Sequence, residues 1–189
     1  MSAIDSAAST SVVPPWLSPS AAADVLGRAS WVLTGQSWLE EGDVHWCGWG
    51  EPSAELVASM PGRWVTSPGP LSDESTTGPA GPMTAAGVHV MVDRLAHDLP
   101  GRLDGFTRLW NLVAVDGLIS LTYPVHAGPE VMSGAASRGE KILIDHRQLV
   151  EELLLATSGR LLTVDMVVHH PDSAADGMTW ATLVLRRLR

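Results

Sequence analysis

Near the start of the chain, apolar residues recur three and four apart at Ala22, Val25, Leu26, Ala29, Val32 and Leu33, the spacing that gathers side chains on one helix face. Ser18-Pro19 precedes them as N-cap and first-turn proline, and Gly35 follows as a stop. The pattern then shortens. Residues 44–47 read as a strand, Pro52-Ser53 opens a short helix that Pro61-Gly62 stops after Met60, and residues 63–66 form a second extended piece. Residues 67–82, SPGPLSDESTTGPAGP, keep no apolar period and read as a long loop or linker.

Past that loop, Val88, Met91, Val92, Leu95 and Leu99 predict a helix over 84–99, ended by Pro100-Gly101. Residues 110–115, Asp116-Gly117 and residues 118–125 read as a two-residue hairpin, because Asp-Gly supplies the positive φ angles of a type I′ turn. That register opposes Trp110, Leu112 and Ala114 to Tyr123, Leu121 and Ile119. Residues 141–144 form a short strand. Asp145, with Gln148 three residues on, resembles a capping box, and Leu149, Val150, Leu153 and Leu154 form the buried face of the helix it opens. Residues 161–170 and 178–187 make a second hairpin. Leu162, Val164, Met166 and Val168 are its apolar face, with Val164 opposite Leu183 and Met166 opposite Ala181; Thr163, Asp165 and His169 take the other face.

The fold class these elements predict is α+β: a mainly antiparallel sheet with helices on one face, in the order helix, strand, strand, strand, helix, strand, strand from residue 84, plus a Trp-rich αβα segment before it. The domain divisions expected are a flexible tail at 1–17, a Trp-rich subdomain at 18–66, the Pro/Gly/Ser loop at 67–82 and the sheet domain at 83–189.

Composition narrows the function classes. The chain has 189 residues, 45% hydrophobic and 17% charged, enough apolar material for a real core. Its net charge of −9 leaves no basic footprint for nucleic acid. No apolar run is long enough to span a bilayer, and the first fifteen residues lack the basic and apolar blocks of a secretory signal. Cys47 is the single cysteine, which excludes an internal disulfide and a cysteine-built metal site and favours a cytoplasmic location.

Candidate chemistry falls in a few places. His89, Asp93 and His97 stand four apart on one ridge of the predicted 84–99 helix, so a carboxylate could orient an imidazole as a base. The histidines lie two turns, or ~12 Å, apart, too far to share one metal ion. Asp165 and His169 share a strand face, ~13 Å apart along it. Cys47 follows His45 on one strand face but reads as a packing residue. Gly48-Trp49-Gly50-Glu51-Pro52-Ser53 imitates a dinucleotide loop, yet Glu51 sits where a pyrophosphate would lie and no βαβ unit of adequate length is predicted around it. The Gly/Ser loop at 126–139, with Ser133, Ser137 and Arg138, specifies no phosphate site.

The tryptophans are the compositional oddity: eight, against one Phe and one Tyr, six of them in the first third. Trp38, Trp46, Trp49 and Trp64 are the candidates for an aromatic-walled groove. No motif fixes a reaction, and none specifies a cofactor or a metal. The function this predicts is a non-enzymatic binding or accessory protein, using a Trp-rich groove for a protein partner or small apolar ligand, or self-associating along a sheet edge. The alternative is a small hydrolase, lyase or cyclase acting on an apolar or aromatic substrate with a His/Asp pair.

Overall fold

Local signals at the helix starts hold. In the computed structural model, which describes residues 4–6, 13–35, 42–60, 62–67, 71, 85–92, 95, 98–125, 144–169 and 179–189, Ser18 accepts a hydrogen bond from the Ala21 amide (3.2 Å). That bond opens α1 (Pro19–Thr34). Ser53 does the same for Leu56 (3.1 Å) and opens α2 (Ala54–Ser59). Asp145 accepts from Gln148 (3.0 Å) and opens α4 (His146–Ala156). The reciprocal half of a capping box is absent, since the Gln148 side chain donates to Glu152 instead (2.9 Å).

The strands are β1 (Ile4–Ser6), β2 (Val44–Gly48), β3 (Trp64–Ser67), β4 (Ala85–Met91), β5 (Val113–Pro124), β6 (Leu161–His169) and β7 (Trp180–Arg187). They form one sheet in the order β1-β3-β2-β4-β5-β7-β6. The β1–β3, β3–β2, β2–β4 and β4–β5 pairings are parallel, and only β5–β7 and β7–β6 are antiparallel. The expected mainly antiparallel sheet is therefore corrected to a mixed, mostly parallel one. Its strands come from both sides of the 67–82 stretch, and Ile4–Ser6, within the segment read as a tail, pairs with β3.

Two misread segments account for the difference. The predicted 84–99 helix is the strand β4, followed by α3 (Leu99–Leu112). A strand buried on both faces carries a continuous apolar run, and over a few residues that run matches helical spacing equally well. The predicted 110–125 hairpin also dissolves. Trp110 and Leu112 belong to α3, and Val113–Pro124 is a single strand. Asp116 does take a positive φ of 64°. The reversal it signals is only a bulge: β4 pairs Ala85 with Val113 and then Gly87 with Leu118. Among the described residues from 85 on, the order is strand, helix, strand, helix, strand, strand, and residues 141–143 of the predicted short strand lie outside the described residues.

Helices cover both faces, where the sequence predicted one. α1 and α2 pack Val25, Ala29, Leu33 and Leu56 on Val44, Trp46, Trp64, Met91 and Trp180. On the opposite face α3 and α4 pack Phe106, Leu109, Leu149 and Leu153 on Val88, Val90, Leu121, Tyr123 and Leu183. Arg102 of α3 donates two hydrogen bonds to Glu152 of α4 (2.8 and 2.9 Å), tying that layer together. Arg187 of β7 lies 4.3 Å from the Trp110 ring centroid and donates to the carbonyls of Trp110 (2.9 Å) and Val113 (2.6 Å), satisfying the end of α3.

The β6–β7 hairpin forms as predicted, slipped by two residues: Met166 opposes Leu183 and Val168 opposes Ala181. A bulge between Thr163 and Asp165 accompanies the slip. The row expected to be buried is exposed, Leu162 at 53%, Val164 at 42%, Met166 at 38% and Val168 at 48%, because β6 is the edge strand.

Candidate functional site

The sheet order reverses at β2. From β2 the chain passes through α2 to β3 on one side, while β4 lies on the other. β2-α2-β3 is thus a parallel βαβ unit, the unit missing from the sequence reading, and a reversal of this kind opens a crevice at the carboxyl ends of the strands. The residues at those ends are Cys47 and Gly48 closing β2 with Trp49 and Gly50 beyond it, Met91 closing β4 with Val92 beyond it, Ser67 closing β3, and Trp180 at the start of the antiparallel β7.

Gly48 and Gly50 have φ angles of 94° and 74°. A Cβ on Gly48 would stand 2.1 Å from the Met91 carbonyl oxygen, and one on Gly50 would stand 2.7 Å from a Leu26 methyl. Only glycine allows this turn. The Trp46 indole N–H donates to the Gly50 carbonyl (3.1 Å), which folds the Gly-Trp-Gly turn back over β2.

The Trp49 side chain is buried. It meets Trp180 edge-on at 5.7 Å, and Trp16 stacks on Trp180 with ring centroids 6.1 Å apart. The indole Nε1 atoms of Trp49 and Trp180 are buried without a partner. Such donors are costly to leave unpaired; Trp64 Nε1, at the start of β3, is a third, while Trp49 and Trp180 stand at the carboxyl end of the sheet.

The other sequence-predicted residues disperse. Trp46 and Trp64 are core residues on the α1 face, and Trp38 lies outside the described residues, as do Asp93 and His97. His89 is on β4, fully buried, with its ring centroid 4.3 Å from that of Trp46 and its Nε2 3.1 Å from the Met91 sulfur. Burial holds its pKa down to about 3, so it is neutral. His169 is on β6, three strand spacings from His89 in the sheet order, and its Nε2 contacts the Thr182 hydroxyl (3.2 Å), which in turn contacts Thr122 (2.8 Å). The Asp165 carboxylate accepts from the Met166 amide (2.8 Å). The structure therefore does not join His89, His169 and Asp165 into one site.

Cys47 is fully buried beside Ser67 (3.4 Å), and burial pushes its thiol up to about 11, against a nucleophilic role. Burial also lowers the pKa of His45, with Asp43 opposing and Arg63 adding to the effect, and both ring nitrogens lack partners. Tyr123, at the end of β5, is hydrogen-bonded to Nδ1 of His146, the first residue of α4. Among the described residues no group of three His, Cys, Asp or Glu could hold a metal ion, and no helix is long and apolar enough to cross a membrane.

The sequence reading passed over Trp16 and Trp180, which the fold brings together from opposite ends of the chain. The signal it did hold was the pair Gly48 and Gly50 directly after a strand.

No protein family's sequence signature matches the chain, and no curated protein matches it. Solved structures do. The N-methyltransferase NodS from Bradyrhizobium japonicum WM9, in complex with S-adenosyl-L-homocysteine, superposes with a TM-score of 0.58 at 12% identity over 95% of each chain. The [4+2]-cyclase SpnF gives 0.56 at 12% identity over 88% of this chain and 81% of its own. The 1,6-didemethyltoxoflavin-N1-methyltransferase from Burkholderia thailandensis, with S-adenosylhomocysteine bound, gives 0.55 at 15% identity over 87% of this chain and 79% of its own. The chain has the fold of these proteins. That likeness, with Trp46 and Trp64 packed in the core, overturns the reading of a non-enzymatic accessory protein built round a Trp-walled groove.

Proposed function

We propose that this chain binds S-adenosylmethionine, or its demethylated product, at the carboxyl ends of β2 and β4, and that it is an enzyme of the methyltransferase-fold class acting on a small molecule. The observation that carries this is the glycine turn of Gly48 and Gly50 at the point where the sheet order reverses. Both solved methyltransferases named above hold S-adenosylhomocysteine.

The residues present fit such a ligand in part. Gly48 and Gly50 let the turn pack directly on the Met91 carbonyl and Leu26, and the unpartnered indole N–H groups of Trp49 and Trp180 are donors suited to a ligand carboxylate or ring nitrogen. At the end of β3, where a carboxylate would take ribose hydroxyls, stands Ser67, and its hydroxyl lies 3.4 Å from the Cys47 sulfur. A neutral hydroxyl makes a weaker ribose contact than a carboxylate. When bound, S-adenosylmethionine supplies an electrophilic methyl group on a sulfonium sulfur. This chain's own contribution is to bind it and to exclude water with the Trp16, Trp49 and Trp180 rings. The single, buried thiol of Cys47 suits a reducing cytoplasmic setting.

The test is binding. S-adenosylhomocysteine at 100 times its dissociation constant should stabilise the fold by about 2.7 kcal/mol, which raises Tm by about 5–10 °C for a chain of this size. Trp180→Phe keeps a ring but removes the N–H, and should weaken binding about 5–10-fold. No thermal shift and no change in tryptophan emission at millimolar ligand would refute the proposal.

A further inference from the structure

The sheet ends at β6, which has β7 on one side and no strand on the other among the described residues. Exposed edges are usually blunted by proline, lysine or a bulge. β6 has neither proline nor lysine, and its bulge between Thr163 and Asp165 disturbs only its first half. From Asp165 to His169 the ladder to β7 is regular. Met166 and Val168 oppose Leu183 and Ala181, and so lie on the face that α3 and α4 cover, yet both are exposed. Leu154 and Leu155 are exposed on α4, the helix of that same face.

We propose that β6 pairs antiparallel with β6 of a second copy of this chain, about a twofold axis through Val167, so that two sheets become one. The register follows from symmetry. A twofold axis perpendicular to the sheet leaves each face where it was, so a residue can oppose only one of its own face. The axis must then pass through a residue. Centred on Val167, the whole regular stretch pairs with itself: Met166 opposes the second copy's Val168, and Asp165 opposes its His169. Opposed positions in such a ladder lie ~4.5–5.5 Å apart, so on each side of the axis Asp165 stands beside the second copy's His169, whose ring is largely buried and holds Thr182 through Nε2.

Other centres are worse. An axis at Asp165 sets two carboxylates against each other, one at Met166 draws the bulge into the ladder, and one at Val168 pairs only residues 167–169 of the described stretch. His169 and Asp165 already share a face, with His169 opposing Trp180 and Asp165 opposing Val184. A five-residue ladder alone falls short of the roughly 800 Å² per partner of a stable interface. Leu154, Leu155 and Val164 are the exposed apolar surface available to widen it.

Sedimentation of the full chain should give twice the 20.1 kDa of one copy. Val167→Cys, oxidised, should cross-link to itself, because its counterpart stands directly opposite. Met166→Cys should not, since two residues of offset put its twin ~8 Å away, beyond disulfide reach. The wild type controls for Cys47. The double variant Met166→Lys/Val168→Lys changes only exposed positions, so it should keep its circular dichroism, and should match the wild-type Tm at concentrations where the wild type is dissociated, while dimer dissociation rises about a hundredfold or more. A monomeric wild type overturns the proposal. So does a dimer that survives both lysines, or one in which Val167→Cys fails to cross-link.

Discussion

His89 shows how one side chain can set the acid limit of the fold. Its imidazole is buried against Trp46 and is held down to about 3 by desolvation, so the folded protein keeps it neutral. The unfolded chain binds a proton there below its ordinary value of 6.5. Stability from this group is therefore complete above that value and is lost as pH falls, by about 1.4 kcal/mol per unit, until the folded value is reached. His45 acts in the same direction. In urea titrations across a pH series, His89→Leu should flatten the acid limb by up to about 1.4 kcal/mol per pH unit between about pH 6 and 4. An unchanged slope would mean that His89 is not the buried neutral group described. None of this was visible in the sequence. There His89 lay on a helix ridge with Asp93 and His97, and only the assignment of residues 85–91 to a strand turns its side chain into the sheet.

At the scale of elements, the glycines mark what local reading can and cannot deliver. Gly48 sits at φ 94° with its missing Cβ 2.1 Å from a backbone oxygen of β4. Gly48→Ala must move β4 or strain the turn, and should cost about 3 kcal/mol or more in urea denaturation. Gly27, exposed in α1 with open space where its Cβ would be, provides the contrast: Gly27→Ala should gain about 0.5–1 kcal/mol. Caps were legible because a serine or aspartate bonds an amide three residues away, as Ser18, Ser53 and Asp145 do. Buried parallel strands were not. The run AAGVHVM of β4 is apolar toward both layers, so its period is set by neighbours that local sequence does not contain. Asp116-Gly117 was read as a chain reversal, and of the two only Asp116 takes the positive φ, at a bulge, because that angle serves a bulge as well as a hairpin.

For the whole molecule, one sheet lies between two helical layers and takes strands from both sides of residues 67–82. Denaturation followed by tryptophan emission, which reports mainly on the α1 face, and by far-ultraviolet ellipticity, which reports on all elements, should give coincident transitions. Two separated midpoints would mean that residues 18–66 and 83–189 unfold independently. The placement of β7 has a further consequence, during synthesis. β6 is translated first, yet its one strand neighbour among the described residues is β7, which also supplies the outer partner of β5. Until β7 emerges, a nascent chain presents the bare flank of β5 and the whole of β6 with nothing to pair against. That interval, rather than the finished protein, is when this polypeptide most needs a chaperone.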